Sequence, residues 1–245
     1  MSLGLSRRAS AEFAGTALLV TAVVGSGIAA ARLSRTDVGL QLLENAITTA
    51  LALGALILTF GPVSGAHFNP VVSAVDWWLG RRTDTGLTGR DLAAYTAAQT
   101  GGAITGTVLA HLMFDLPAVA WSRTDRTGGS LWLAEVIATA GLVVLVFALA
   151  RTGRTTAAPA AVGAYIGAAY WFTSSTSFAN PAVTIGRAFT DTFAGIAPYS
   201  VPGFIVAQLV GGLVAIAALA AWYPHAADTA DAVVVPHLTR ETEAR

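Results

Sequence analysis

The sequence predicts an all-α membrane protein in which six transmembrane helices and two re-entrant half-helices form an inverted repeat. The composition is the first indication, because the chain has 245 residues of which 54% are hydrophobic and 11% are charged. Such a composition is unusual for a soluble domain. Long apolar segments recur along the chain, and each half contains one Asn-Pro pair followed by a short apolar segment. Together these observations indicate full membrane spans combined with shorter helices.

Six segments are apolar over enough residues to cross a bilayer, which takes about 20 residues in a helix. They are predicted at residues 10–31, 40–60, 91–112, 131–150, 159–174 and 201–223. The first segment follows Arg7 and Arg8, as a signal peptide would. It is too long for a signal peptide, however, and five further segments follow it. We therefore interpret it as a retained span.

The basic residues, all of them arginines, predict the orientation in the plasma (inner) membrane, since basic residues favour cytoplasmic loops. With a cytoplasmic N-terminus, the arginines predicted inside outnumber those outside: Arg7, Arg8, Arg81, Arg82, Arg90, Arg151, Arg154, Arg240 and Arg245 against Arg32, Arg35, Arg123, Arg126 and Arg187. Both termini are thus expected in the cytoplasm. Residues 224–245 are polar and interrupted by Pro, which indicates a cytoplasmic tail of the multi-pass chain.

Three landmarks occur in the same order in both halves of the chain. They are Glu12, Asn69 and Gln99 in the first half and Glu135, Asn180 and Gln208 in the second. Each Glu is followed four residues later by Thr, and the interval from Asn to Gln is 30 residues in the first half and 28 in the second. Since each half has three spans, the second half must enter the membrane from the opposite side, which makes an inverted repeat. We predict a single domain over residues 1–223, with halves at about 8–112 and 131–223.

The segments that follow the Asn-Pro pairs, roughly 70–79 and 181–189, are too short to span a bilayer. Asn is a preferred N-cap and Pro a preferred first residue, so each pair predicts the start of a helix. Entering from opposite faces, the two half-helices can meet only near the midplane. Their positive ends and the amides of Asn69 and Asn180 would repel cations, whereas a neutral solute can accept hydrogen bonds there. The pattern favours a pore for neutral solutes.

Glu12 and Glu135 are carboxylates at membrane depth, within the first and fourth spans. Placing such a charge near the centre of a span costs about 2.5 to 3.5 kcal/mol on insertion scales, so it usually has a partner or a function. We predict that both residues anchor the re-entrant loops rather than handle solute directly.

Several other classes of protein are disfavoured. The chain has no Cys, and its four His show no metal-ligand spacing, so neither a metal site nor a cofactor is expected. We also find no pattern of catalytic residues. The formal net charge is zero, which gives no reason to expect a nucleic-acid partner. An ion-coupled secondary transporter and a purely structural junction protein remain as alternatives to a channel.

The segments "AEFAGT", "SGAHFNPVV", "AAQTGGA", "AEVIAT", "SFANPAVT" and "AQLVGG" resemble the aquaporin and glycerol-facilitator family over residues 8–223. The resemblance implies an aquaporin-like fold and a homotetramer in the lipid bilayer, with one pore in each subunit. It also implies that Asn69 and Asn180 are midplane donors and that Glu12 and Glu135 brace the loops.

Two positions depart from the family pattern. Val71 replaces Ala in the first Asn-Pro-Ala triplet, and we expect it to space the half-helix ends slightly apart. Val183 stands three residues after the second Asn, where family members usually have the Arg of the outer constriction. The nearest arginine, Arg187, lies one helical turn further along and is expected not to reach the same place.

The remaining pore positions follow from the resemblance. They are His67, Thr49 in place of a usual aromatic residue, Ser177, and on the fifth span either Tyr170 or Ala168. This filter is wider and less charged than a strict water channel needs. It resembles that of a bacterial subgroup associated with trivalent arsenic and methylarsenicals. The expected solutes are water, glycerol and neutral trihydroxides such as arsenite, with a strict water channel as the alternative.

Overall fold

The computed structural model describes residues 3–81 and 85–223, so the predicted tail at 224–245 lies outside the described residues. The described residues form helices and no strands. The helices are α1 (Leu5–Leu33), α2 (Val38–Ser64), α3 (Pro70–Gly80), α4 (Gly89–Met113), α5 (Gly129–Arg151), α6 (Ala158–Phe172), α7 (Pro181–Arg187) and α8 (Val201–Trp222). The predicted fold class is confirmed, with α3 and α7 as the two half-helices.

The predicted boundaries differ most from the observed ones at the start of α1, which begins at Leu5 instead of residue 10, and at the end of α2. The helix α2 continues to Ser64, past Pro62, instead of ending at residue 60. Gly65 then ends it in the left-handed conformation, at φ 85°, where its N–H donates to the Gly61 carbonyl 2.9 Å away. A glycine adopts this conformation without steric cost. The stop signal in this helix is therefore the glycine and not the proline.

Within the described residues, four helices are long and apolar enough to cross a membrane by length and composition: α1, α2, α5, and α8 together with the turn that precedes it. The helix α6 has 15 residues. The helix α4 has 25 but carries Gln99, Thr107 and His111 among its buried residues. Both pack within the bundle, α4 against α1 and α6 against α2. Large apolar side chains such as Leu51, Leu58 and Leu213 are exposed around the outside, as expected where the solvent is lipid.

The helix contacts repeat between the two halves of the chain. The pair α1 and α4 corresponds to α5 and α8, and the pair α3 and α4 to α7 and α8. Each half-helix also contacts a helix of the opposite half, since α7 contacts α4 and α3 contacts α8. The arrangement encloses both half-helices within the bundle.

Glycines allow the backbones of paired helices to approach closely, as is common in membrane proteins. A Cβ atom at Gly102 or Gly106 of α4 would overlap the carbonyl oxygen of Phe13 or Ala17 in α1. In the second half, a Cβ atom at Gly211 of α8 would lie 2.7 Å from the Val136 carbonyl oxygen in α5. Backbone atoms cannot move aside as a flexible side chain can, so these glycines set the helix separation.

The substitution Gly106→Ala should destabilise the α1–α4 contact, because the added methyl group would overlap backbone. We expect a loss of about 1 to 3 kcal/mol, as is usual for overpacking. Gly101→Ala is the matched control, since a Cβ atom there lies 3.5 Å from the Phe13 ring, an ordinary contact. Thermal unfolding of the two purified variants in detergent measures the difference. Equal stability would show that α1 can move away from α4 at little cost.

Candidate functional site

The two re-entrant loops meet inside the bundle through a reciprocal pair of hydrogen bonds. Asn69 Nδ2 donates to the Ala179 carbonyl at 2.7 Å, and Asn180 Nδ2 donates to the Phe68 carbonyl at 2.7 Å. Each bond joins one half of the chain to the other. The two Asn-Pro pairs are thus brought together, as the repeat predicts.

The oxygen of each Asn side chain caps its own half-helix. Asn69 Oδ1 accepts from the Val71 N–H at 2.9 Å, and Asn180 Oδ1 accepts from the N–H groups of Ala182 and Val183 at 3.0 and 3.3 Å. These are the bonds an N-cap residue is expected to make. Since the oxygens are occupied, the side-chain groups left to a solute are N–H donors.

The loop backbone ahead of each Asn is held in the same unusual conformation. Phe68 and Ala179, one residue before each Asn, have φ values of 49° and 48°, and Ala66 and Ser177, three residues before, have 50° and 49°. For residues with a Cβ atom the left-handed conformation costs roughly 1 to 2 kcal/mol each. The surrounding contacts must therefore hold both loops in place.

Glu12 supplies such contacts to the first loop and is completely buried. Its Oε1 atom accepts from Ser64 Oγ at 2.6 Å and from the His67 N–H at 3.0 Å. Its Oε2 atom accepts from the Phe68 N–H at 2.7 Å and from Gln99 Nε2 at 2.8 Å. One carboxylate thus joins α1, α4 and the end of α2 to the loop.

Glu135 makes the equivalent contacts in the second half and is also completely buried. Its Oε1 atom accepts from Ser175 Oγ at 2.6 Å and from the Phe178 N–H at 2.9 Å. Its Oε2 atom accepts from the Ala179 N–H at 2.8 Å and from Gln208 Nε2 at 2.6 Å. Both carboxylates have the contacts that the anchoring hypothesis requires.

The predicted pore residues lie around one cavity that passes the junction of the two loops. All seven line it: Thr49, His67, Asn69, Tyr170, Ser177, Asn180 and Val183. Thr49 Oγ1 lies 3.1 Å from the Tyr170 hydroxyl oxygen, which joins α2 to α6 across the cavity wall. Ala168 is exposed on the outside of α6. Of the two alternatives for the fifth span, Tyr170 is the one that faces the cavity.

Comparison with known proteins agrees with this geometry. The sequence model of the family described as "Major intrinsic protein" matches residues 1–179. The Aquaglyceroporin AqpS of Rhizobium meliloti (strain 1021) is 54% identical over 213 residues, which cover 87% of this chain and 88% of that protein. The chain belongs to the major intrinsic protein family.

Two further comparisons support this family and its fold. The Glycerol uptake facilitator protein of Pseudomonas aeruginosa is 29% identical, over 79% of this chain and 77% of that protein. The X-ray structure of the aquaglyceroporin from Plasmodium falciparum superposes with a TM-score of 0.64 and covers 90% of this chain and 97% of that one. At 21% identity, the second likeness shows the fold alone.

Arg187 lines the same cavity as Val183 in this major intrinsic protein, although it was not among the pore positions predicted from the sequence. It is the last residue of α7 and is only 2% exposed. The missed signal is the spacing: residues four apart lie on the same face of a helix, and side chains lean towards its N-terminus. A side chain as long as that of Arg187 therefore extends back towards Val183.

Val71 does not hold the half-helix ends apart. Its Cγ1 atom lies 2.8 Å from where a Cβ atom of Gly212 would be, so its side chain points towards α8. Both bonds between the loops are intact at 2.7 Å. The expectation fails because the replaced position faces a neighbouring helix, whose glycine makes room for the larger side chain.

Glu135→Ala should lower the stability of the protein before it changes solute preference. The substitution leaves two backbone N–H groups and the Gln208 amide without their acceptor, and each unpaired buried donor costs about 1 to 3 kcal/mol. Glu12→Ala should cause a similar loss, because its bonds are equivalent. Folded yield and thermal unfolding in detergent measure the effect. A fully stable Glu135→Ala protein with altered solute preference would contradict the anchoring role.

Proposed function

We propose that this major intrinsic protein is a passive channel that passes water, glycerol and neutral trihydroxides such as arsenite. The observation that carries the proposal is the pair of Asn side chains at the loop junction, which line the cavity from opposite halves of the chain. The 54% identity to a protein named an aquaglyceroporin supports this range of solutes.

The asparagines favour neutral hydroxylated solutes over cations. Each Nδ2 has two hydrogens, of which one is used in the bond to the opposite loop. The second can bond to a hydroxyl oxygen in the cavity. Since each Oδ1 caps a half-helix, the junction offers donors where a cation or a hydronium ion would need acceptors.

Most of the other residues that line the cavity are apolar. Its residues include Leu19, Val23, Leu53, Ile57, Val146 and Ile166. A wall that combines aliphatic groups with N–H donors matches a polyol, which has both a hydrocarbon backbone and hydroxyl groups. A neutral side chain at Val183 and the small Thr49 add width. These features favour the broader solute range over a strict water channel.

The carboxylates argue against ion coupling. A secondary transporter needs a coupling-ion site near the midplane, and among the described residues Glu12 and Glu135 are the carboxylates bonded to the two loops that form the junction. Each accepts four hydrogen bonds from described residues. A cation bound at either carboxylate would have to displace the bonds that hold the loop.

The assembly and orientation are also part of the proposal. We place the protein in the plasma (inner) membrane as a homotetramer, one pore to each subunit, with both termini in the cytoplasm. In this arrangement the loop after α1 and the loops on either side of α7 face outwards, and the loop after α5 faces the cytoplasm. The excess of arginines on the cytoplasmic side supports it.

Val183→Arg should reduce glycerol and arsenite flux at least about tenfold more than water flux, which corresponds to about 1.4 kcal/mol in the barrier. The new guanidinium would occupy the cavity beside Thr49, which is too small to clash with it. Val183→Leu is the control, because it adds bulk without charge. Stopped-flow swelling and metalloid uptake measure the fluxes in proteoliposomes. An unchanged ratio of solute to water flux in a folded tetramer would refute the role of Val183 in setting the width.

The orientation can be tested with single cysteines, since the chain has none of its own. Thr36→Cys, in the loop after α1, and Arg154→Cys, in the loop after α5, replace exposed side chains. An impermeant maleimide should label the first in intact cells and the second only after permeabilisation. The cysteine-free parent gives the background. The reverse pattern would show that the chain is inserted the other way round.

A further inference from the structure

Arg187 is a buried cation whose charge has no carboxylate partner. Among the described residues the ion pairs are Arg8 with Asp91 and Arg123 with Asp191, and Arg187 belongs to neither. A buried charge is costly unless it is paired or hydrogen-bonded. The guanidinium must therefore be stabilised by hydrogen bonds and by contacts other than an ion pair.

Two contacts fix the guanidinium in place. Its Nε atom donates to the Ala194 carbonyl, and its central carbon lies 3.4 Å from the centre of the Phe178 ring. A guanidinium stacked on an aromatic face is attracted to the ring and held flat against it. Phe178 stands two residues before Asn180, so the stack lies beside the loop junction.

The remaining N–H groups of Arg187 face the cavity. A guanidinium has five N–H donors, and the terminal nitrogens donate no hydrogen bond to any described residue, although the side chain lines the cavity. Neither terminal nitrogen is fully enclosed by protein atoms. Their partners must then be the contents of the cavity, which are water or the hydroxyl groups of a solute.

We propose that Arg187 supplies the fixed positive charge and the hydrogen-bond donors of the outer filter, in place of an arginine at position 183. The inference rests on the proposed channel function and extends it. Arg187 binds the hydroxyl oxygens of neutral solutes and repels cations. Because Phe178 and Ala194 hold its guanidinium against the wall, the width beside Val183 stays open.

In this arrangement different residues determine the charge and the width of the filter: Arg187 supplies the charge, and Val183 leaves the width. A guanidinium at position 183 would project from the first turn of α7, whereas that of Arg187 comes from the end of the helix and lies on an aromatic ring. The filter can then exclude cations while it admits polyols and trihydroxides.

Arg126 offers a matched control on the same ring. Its guanidinium carbon lies 5.0 Å from the centre of Phe178, and its Nε donates to the Gly195 carbonyl at 2.9 Å. Arg126 lies in the loop between α4 and α5, where burial lowers the pKa of its guanidinium, and it is not among the residues that line the cavity. A substitution at Arg126 thus removes a cation from Phe178 without removing a donor from the cavity.

The experiment compares wild type, Arg187→Met and Arg126→Met in proteoliposomes. Water and glycerol fluxes are followed by swelling, and proton and sodium leak by entrapped dyes. We expect Arg187→Met to raise the cation leak at least about tenfold, or about 1.4 kcal/mol, and to lower the ratio of glycerol to water flux. Arg126→Met should match wild type in both measurements. Arg187→Lys retains the charge and should restore cation exclusion.

Three results would overturn the inference: wild-type leak and flux ratio in a folded Arg187→Met tetramer, equal leak in both Met variants, or leak in Arg187→Lys equal to that of Arg187→Met. If Arg187→Met does not fold, Arg187→Gln replaces it, because the Gln amide can still donate to the Ala194 carbonyl. Its leak and flux ratio are then compared with those of wild type and Arg126→Met. A wild-type protein that passes neither water nor glycerol would instead refute the channel function. The failure of the inference and the failure of the function are thus distinguishable.

Discussion

The structure depends on two buried carboxylates that accept hydrogen bonds from backbone. Glu12 and Glu135 each bind two consecutive N–H groups of a re-entrant loop, a Ser hydroxyl and a Gln amide. Irregular backbone at membrane depth is stable only where its polar groups are satisfied within the protein. A carboxylate is well suited to this, since it has two acceptor oxygens and no donor. These bonds act directly on left-handed residues, since the N–H groups of Phe68 and Ala179 donate to them.

The position of the asparagines follows from that constraint. With both loops fixed, the carbonyls of Phe68 and Ala179 are presented to the opposite Asn side chain. Each Asn then caps its own half-helix and bonds to the other loop, so its amide orientation is fully determined. A donor held in one orientation selects solutes better than a freely rotating one, because a passing solute does not have to order it. The chemistry of the junction is thus a consequence of the loop anchors.

The sequence predicted most of the fold because its signals are local or repeated. The Asn-Pro pairs, apolar segment lengths and spaced Glu and Gln residues needed no knowledge of side-chain direction. The errors concern direction. Val71 faces α8 instead of α7, and Arg187 lies close enough to line the cavity with Val183. The choice between Tyr170 and Ala168 also depended on which face of α6 turns inwards. Such questions are decided by helix rotation within the bundle, which composition does not encode.

The outer filter shows why a substitution must be interpreted together with its neighbours. A valine at position 183 indicates, taken alone, a filter without positive charge. Four residues later, on the same face of α7, Arg187 places a guanidinium on the same cavity and has Phe178 as its support. In this arrangement the short side chain of Val183 leaves the cavity wide, and the positive charge expected at position 183 comes instead from the long side chain of Arg187. In the proposed channel, the junction of Asn69 and Asn180 then receives a wider solute, and Arg187 supplies the positive charge that excludes cations.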